Sequence, residues 1–210
     1  MAEITLQAIS PFSGLLARAA AHGRPAAPGL SVRERAGLGL ATVLVRKGRL
    51  PELQQAAQSL WGMALRDEPA VSGDGRVAFV GISPGGWLAV SPGGGWRFAR
   101  ELAQRLQGLA SVSDQSSGYG VLRLSGPAVR DVLAKGAPLD LHPREFPPGR
   151  SAVTDIAHVG GVLWRVDGTA LAEPGDMSGG SFDVAVFRSL AGSFFHWLEE
   201  SAEEFGLAVD

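Results

Sequence analysis

Three consecutive glycines, Gly93-Gly94-Gly95, follow an apolar run and precede a helical pattern, the setting in which free N–H groups at a helix start hold a phosphate or another anion. The spacing fails the stricter test. A G-x-G-x-x-G fingerprint needs glycine where Phe98 stands, and no Gly-Lys-Ser or Gly-Lys-Thr follows for a Walker loop, so the stretch reads as a turn. Metal chemistry fares no better: His22, His142, His158 and His196 are widely separated, and no H-E-x-x-H or H-x-E arrangement exists. For acyl transfer, Gly175-Asp176-Met177-Ser178-Gly179 places its serine one position too late for a nucleophile elbow. The single carboxylates Asp114, Asp131, Asp140 and Asp155 read as turn or capping groups. No residue is assigned a catalytic, cofactor-binding or metal-ligating role.

Composition narrows the classes further. The chain has 210 residues and no Cys, which removes disulfides, thiolate nucleophiles, iron–sulfur clusters and Cys-containing zinc sites. Nineteen basic against 21 acidic residues give a formal net charge of −2, too little field to hold a polyanion, so nucleic acid is not expected as a partner. No apolar run approaches the ~18 residues of a membrane span, and the N-terminal residues carry no basic region followed by an apolar one. A cytoplasmic protein without membrane contact is expected.

The elements around these residues read as follows. Residues 1–37 are interrupted by Pro11, Gly14, Pro25, Pro28 and Gly29 and are read as an arm with one short Ala-rich helix; residues 38–210 are read as one α+β domain. An apolar, β-branched stretch over 38–46 predicts a strand. Leu53, Ala56, Ala57, Leu60, Trp61 and Ala64 predict a helix after Pro51, and Phe98, Leu102 and Leu106 predict a second one ending at Gly108. Strands are predicted over 76–82 and 87–91 as a hairpin, over 110–116 and 119–124, over 152–158 and 162–166 across Gly160-Gly161, and over 182–187. A short helix before Gly136 and a terminal helix from about Ser189 complete the pattern. Hairpins without strict strand–helix alternation predict a mixed, mainly antiparallel sheet with helices packed on one face.

Two features point outward rather than to a pocket. The terminal helix joins an aromatic face (Leu190, Phe194, Trp197, Leu198, Phe205) to an acidic end (Glu199, Glu200, Glu203, Glu204), which is either a solvated end or a patch for a basic partner. Trp87, Trp96, Trp164, Arg123 and Arg188 are of the types enriched at protein interfaces, although Trp is also common in cores.

Ordered blocks carry a resemblance to a known family. Val112-Ser113-Asp114-Gln115-Ser116-Ser117-Gly118, Leu122-Arg123-Leu124-Ser125-Gly126-Pro127, Lys135-Gly136, Pro138-Leu139-Asp140-Leu141-His142-Pro143 and His196-Trp197-Leu198 together resemble the gamma subunit of heterotetrameric sarcosine oxidase. Phe146, Gly149, Arg188-Ser189 and Ser193-Phe194 extend the likeness, and Trp87-Leu88 after Pro84 fits the family's hairpin. Ala137 stands where members of the family often carry Cys, and the residues before 38 match nothing in it.

The resemblance implies a non-catalytic subunit with no cofactor of its own, in an enzyme that oxidatively demethylates sarcosine to glycine and hydrogen peroxide. It implies FAD, FMN and NAD in partner subunits, tetrahydrofolate as co-substrate of the complex, and alpha, beta and delta subunits as partners. It implies a fold like the folate-binding domain of aminomethyltransferases. The alternative is a stand-alone folate-binding or folate-dependent methyltransferase-like protein, for which Asp114 or Asp155 would hold the pterin.

Overall fold

Several strand segments beyond residue 77 are buried at nearly every position, which requires cover on both faces rather than one. Ala78–Val80, Trp87–Val90 and Val121–Leu124 are buried throughout, as are positions 181–186. The computed structural model, which describes residues 9–21, 27–169, 171–172 and 179–210, meets this demand with two sheets packed face to face. One has six strands in the order β11 (Leu207–Val209), β1 (Leu30–Glu34), β7 (Tyr119–Ser125), β10 (Ser181–Phe187), β9 (Val159–Arg165) and β8 (Ser151–Ile156). The other has five: β3 (Val71–Gly73), β4 (Ala78–Ser83), β5 (Gly86–Ser91), β2 (Gly39–Val45) and β6 (Ala110–Asp114). Named strand pairs are antiparallel except β1 with β11.

Side-chain alternation along each strand then sorts residues into layers. Leu122, Leu124, Phe182, Val184 and Val186 face α1 (Ser13–Ala21), α4 (Val129–Ala134) and α5 (Ala191–Ala202). Their neighbours Val121, Val162, Trp164 and Ala185 meet Leu40, Val80, Leu88 and Val90 of the second sheet. Beyond it, Ala41, Val43, Phe79, Trp87 and Ala89 pack under α2 (Leu50–Trp61) and α3 (Phe98–Arg105). The result is a helix–sheet–sheet–helix stack, α+β and mainly antiparallel as expected. The helices cover two outer faces instead of the one face expected of a single sheet.

Local signals hold where they are strong. Pro51 opens α2, where its missing N–H has no partner to lose, and Gly62 closes it with φ 67° and its N–H on the Gln58 carbonyl. Leu53, Ala57 and Trp61 form its buried stripe.

Two expectations are corrected. Residues read as an arm supply β1, which lies between β7 and β11, and Phe12, which is fully buried against the helices of the first sheet. The β8–β9 turn falls on Ala157 and His158, with φ 50° and 66°, not on Gly160-Gly161. Gly161 instead lies within β9, where a Cβ would come 2.9 Å from the Ala185 carbonyl oxygen of β10. β6 and β7 follow one another in sequence but belong to different sheets, so the segment between them is a crossover.

Candidate interaction surface

The segment that crosses from β6 to β7 is pinned by its own polar residues. Asp114 Oδ1 accepts the Ser116 N–H at 2.9 Å, and Ser116 Oγ accepts the Leu40 N–H at 3.1 Å from the first turn of β2. The Gln115 N–H reaches the Leu40 carbonyl at 2.8 Å. Ser116 therefore fastens the crossover onto the second sheet and fixes where Tyr119 enters the first.

Lys135-Gly136 and His196-Trp197-Leu198 are likewise packing partners. A Cβ on Gly136 would sit 2.6 Å from the Trp197 ring, and Lys135 Nζ donates to the Ser201 carbonyl at 2.7 Å and pairs with Glu204. Ala137 is buried beside them, so the position holds a small apolar side chain and no exposed thiol chemistry. Asp140 caps its own loop by accepting the His142 N–H at 2.8 Å, while Leu141 and Phe146 enter the core.

Between the two sheets lies a fully buried ion pair. Arg123 of β7 and Asp183 of β10 stand directly opposite in register, and the guanidinium grips the carboxylate bidentately, with Nε–Oδ1 2.6 Å and Nη2–Oδ2 2.9 Å. Both are 1% exposed. Arg123 also donates to the Leu171 carbonyl at 3.0 Å, and Arg35 Nε approaches Asp183 Oδ2 at 3.9 Å.

The adjoining surface opens into a groove of about 540 Å³ between the start of β2, the β6–β7 crossover and the 3-10 turn Gly95–Arg97. Trp96 stands on its wall at 65% exposure, with the Arg97 guanidinium 5.1 Å and the Arg100 guanidinium 6.0 Å from its ring centroid. Across the groove, Arg188 donates to the carbonyl of Ile9, whose side chain is 70% exposed. Glu34, in the same lining, accepts the Ser10 hydroxyl.

Tyr119 lines the groove and stacks on Phe187 with ring centroids 4.7 Å apart. Burial disfavours its phenolate and raises its pKa above the ordinary value of about 10. Tyr119 is the only tyrosine in the chain, so tyrosinate absorbance reports it alone. We expect an alkaline titration midpoint above that of free tyrosine in the folded chain, and the ordinary midpoint in denaturant. The raised folded-state value means that the Tyr119 contribution to stability is intact below the unfolded-state pKa and is lost as pH rises through the folded one. Identical midpoints in the two states would show the ring to be solvated.

A second groove of about 470 Å³ lies between the β4–β5 turn and β8, lined by Ile82, Pro84, Leu139, Asp140, Phe146 and Val153 among others. Four carboxylates, Asp67, Glu68, Asp140 and Glu145, and one cation, Arg150, share this lining.

The sequence-selected residues divide cleanly. Trp87 and Trp164 are core, the first donating its indole N–H to the Arg66 carbonyl at 2.9 Å, and Arg123 is the buried half of the ion pair. Trp96 and Arg188 remain outside and are brought to one groove. The acidic end of α5 is largely taken up within the chain: Glu199 pairs with Arg18 at 3.0 Å, Glu200 with His196 at 3.3 Å, and Glu204 with Lys135. These contacts lie at the surface, where Glu200, Glu203 and Glu204 remain exposed.

His142 accepts the Arg144 N–H through Nδ1, His158 occupies the β8–β9 turn, and His22 lies outside the described residues. Among the described residues no group of three His, Cys, Asp or Glu side chains could hold a metal ion. Ser178 lies outside the described residues, and Gly93 and Gly95 take positive φ in the turn ahead of α3. Asp114 caps the crossover, Asp131 is in the first turn of α4, and Asp155 is exposed on β8. Asp114 and Asp155 line neither groove. Among the described residues no helix is long and apolar enough to cross a membrane.

Comparison with known proteins connects this geometry to relatives. The sarcosine oxidase, gamma subunit family matches residues 50–204. The chain belongs to that family. A sarcosine oxidase subunit gamma from Corynebacterium sp. (strain P-1) is 33% identical over 129 residues, covering 61% of this chain and 58% of the relative. One from Arthrobacter sp. is 41% identical over 90 residues, covering 42% of this chain and 44% of the relative, so the matches span about half the length of these relatives.

A chain of the heterotetrameric sarcosine oxidase from Corynebacterium sp. U-96 superposes with a TM-score of 0.77 at 26% identity, over 94% of this gamma-family chain and 96% of the other. Glycine cleavage system aminomethyltransferase T from Bartonella henselae shares the fold at 14% identity, with a TM-score of 0.58 over 92% of this chain and 50% of that one. The motif blocks noted in the sequence lie within the matched range and serve this chain as crossover, turn cap and helix seat.

Proposed function

We propose that this chain is the gamma-type subunit of a multi-subunit, flavin-dependent sarcosine oxidase and that it supplies structure and contact area rather than reacting groups. The observation that carries the reading is the likeness, along nearly the whole length of both chains, to a chain of a heterotetrameric sarcosine oxidase. The side chains support it. The motif residues Asp114, Ser116, Lys135, Gly136 and Asp140 are engaged in caps and packing within the chain, and Arg123 and Asp183 are bound bidentately to each other in the core.

In this reading the complex oxidatively demethylates sarcosine to glycine and hydrogen peroxide. FAD, FMN and NAD are held by partner chains of the alpha, beta and delta types, tetrahydrofolate receives the one-carbon unit, and the assembly works in the cytoplasm. The likeness to aminomethyltransferase T concerns the fold and by itself gives this chain no folate site.

The test is co-expression with and without this chain alongside the other three. We expect a stable, flavin-loaded complex with sarcosine-dependent peroxide formation only when it is present. A complex equally stable and active without it overturns the reading. Saturable micromolar binding of tetrahydrofolate to the isolated chain, measured by calorimetry, would instead establish a folate-binding protein.

A further inference from the structure

We propose that the groove beside Trp96 receives an acidic segment of a partner subunit, with Arg97, Arg100 and Arg188 as its cationic rim. The inference rests on the subunit reading above and adds which surface engages and what chemistry it takes. Its starting point is an imbalance. The indole of Trp96 presents a large apolar face to water, and two guanidiniums lie over it within cation–π distance. Among the described residues neither Arg97 nor Arg100 has a carboxylate partner, and Arg188 across the groove donates to a backbone carbonyl, a neutral acceptor.

The groove's own carboxylate, Glu34, accepts the Ser10 hydroxyl and keeps its single negative charge, which the three arginines outnumber. A basic segment would meet three like charges, whereas an acidic one would find three donors beside apolar lining from Trp96, Ile9 and Leu38. Aromatic and Arg side chains at the centre of such a patch are the types that dominate binding energy.

The rim is also well supported. Arg188 follows β10 directly, and its backbone N–H bonds the Gly118 carbonyl of the crossover at 2.9 Å. Trp96 is carried on the 3-10 turn that leads into α3. Both anchors are therefore held by regular structure, so binding need order few groups on this side.

The test uses the co-expressed complex of this chain with the alpha, beta and delta chains. Hydroxyl-radical footprinting of the wild type is expected to show Trp96 oxidised in the isolated chain and protected in the complex. An R97E/R100E/R188E variant is expected to bind the other chains at least about tenfold more weakly, with a flatter salt dependence, while keeping the wild-type thermal transition. The corresponding Lys triple variant is expected to retain the salt dependence.

If the wild type fails to join those chains, the subunit reading and this inference fall together. If it joins them while Trp96 stays fully reactive and the Glu variant binds normally, this inference alone falls. Self-association of the isolated chain through the same three arginines would overturn it in favour of a second copy of the chain.

Discussion

Replacing Asp183 by Ala is expected to lower the unfolding free energy by about 3–5 kcal/mol, the cost of stranding one member of a buried ion pair. The carboxylate fixes two N–H donors of Arg123 and lies 3.9 Å from Arg35 in the layer where the sheets meet. Removing it takes away the bidentate partner of Arg123, whose guanidinium also donates to the Leu171 carbonyl. Removing both partners is a different perturbation. R123M/D183A is expected to be less destabilised than the sum of its single variants, by about 1.5 kcal/mol or more, because the uncompensated charge disappears together with its counterion. Urea unfolding of the four proteins measures the cycle. Additive single effects would mean that the pair is energetically decoupled and that each group is held by its other contacts.

This pair also shows what the amino-acid sequence reveals and what it hides. An Arg in the middle of Val121–Ser125 and an Asp near the start of Phe182–Phe187, each flanked by apolar residues, are the only sequence sign of it. A charge inside an apolar strand implies a buried partner, but which residue answers it depends on strand order, and β7 and β10 are far apart in sequence. The two-sheet stack was legible for a related reason, since strands without polar alternation need two covered faces. Reading their apolar runs as one sheet overlooked that demand.

Short elements were hidden more completely. β3 and β11 contain three residues each, too few for a period, and β1 reads Leu-Ser-Val-Arg-Glu, with charges where an interior strand would be expected to be apolar. Trp96 and Arg188, singled out by type, stay exposed, while Trp87 and Trp164, of equal standing in sequence, went to the core. Burial by a tertiary neighbour distinguishes them, and a single strand or helix pattern contains no record of that neighbour.

A chain beginning at residue 38 is expected to lose cooperative folding altogether. The missing segment contains β1, which pairs with β7 through Ser31–Glu34 and is the sole strand neighbour of β11. Without β1, β7 becomes an exposed edge beside the Arg123–Asp183 pair, β11 has no sheet to join, and the buried side chains of Leu30 and Val32 vanish from the helix-facing core. Phe12 goes too. Its ring lies against β7, where Gly120 leaves room that a Cβ would close, at 2.5 Å from the ring. Truncating Phe12 alone to Ala should cost about 3–5 kcal/mol, comparable with the whole stability of many domains, about 5–15 kcal/mol. Losing the strand as well leaves no margin. The expected result is a truncated chain without a sharp thermal transition, and an F12A variant that folds with a reduced denaturation midpoint. A truncated chain that unfolds cooperatively near the wild-type temperature would show that residues 1–37 dock onto a self-sufficient domain.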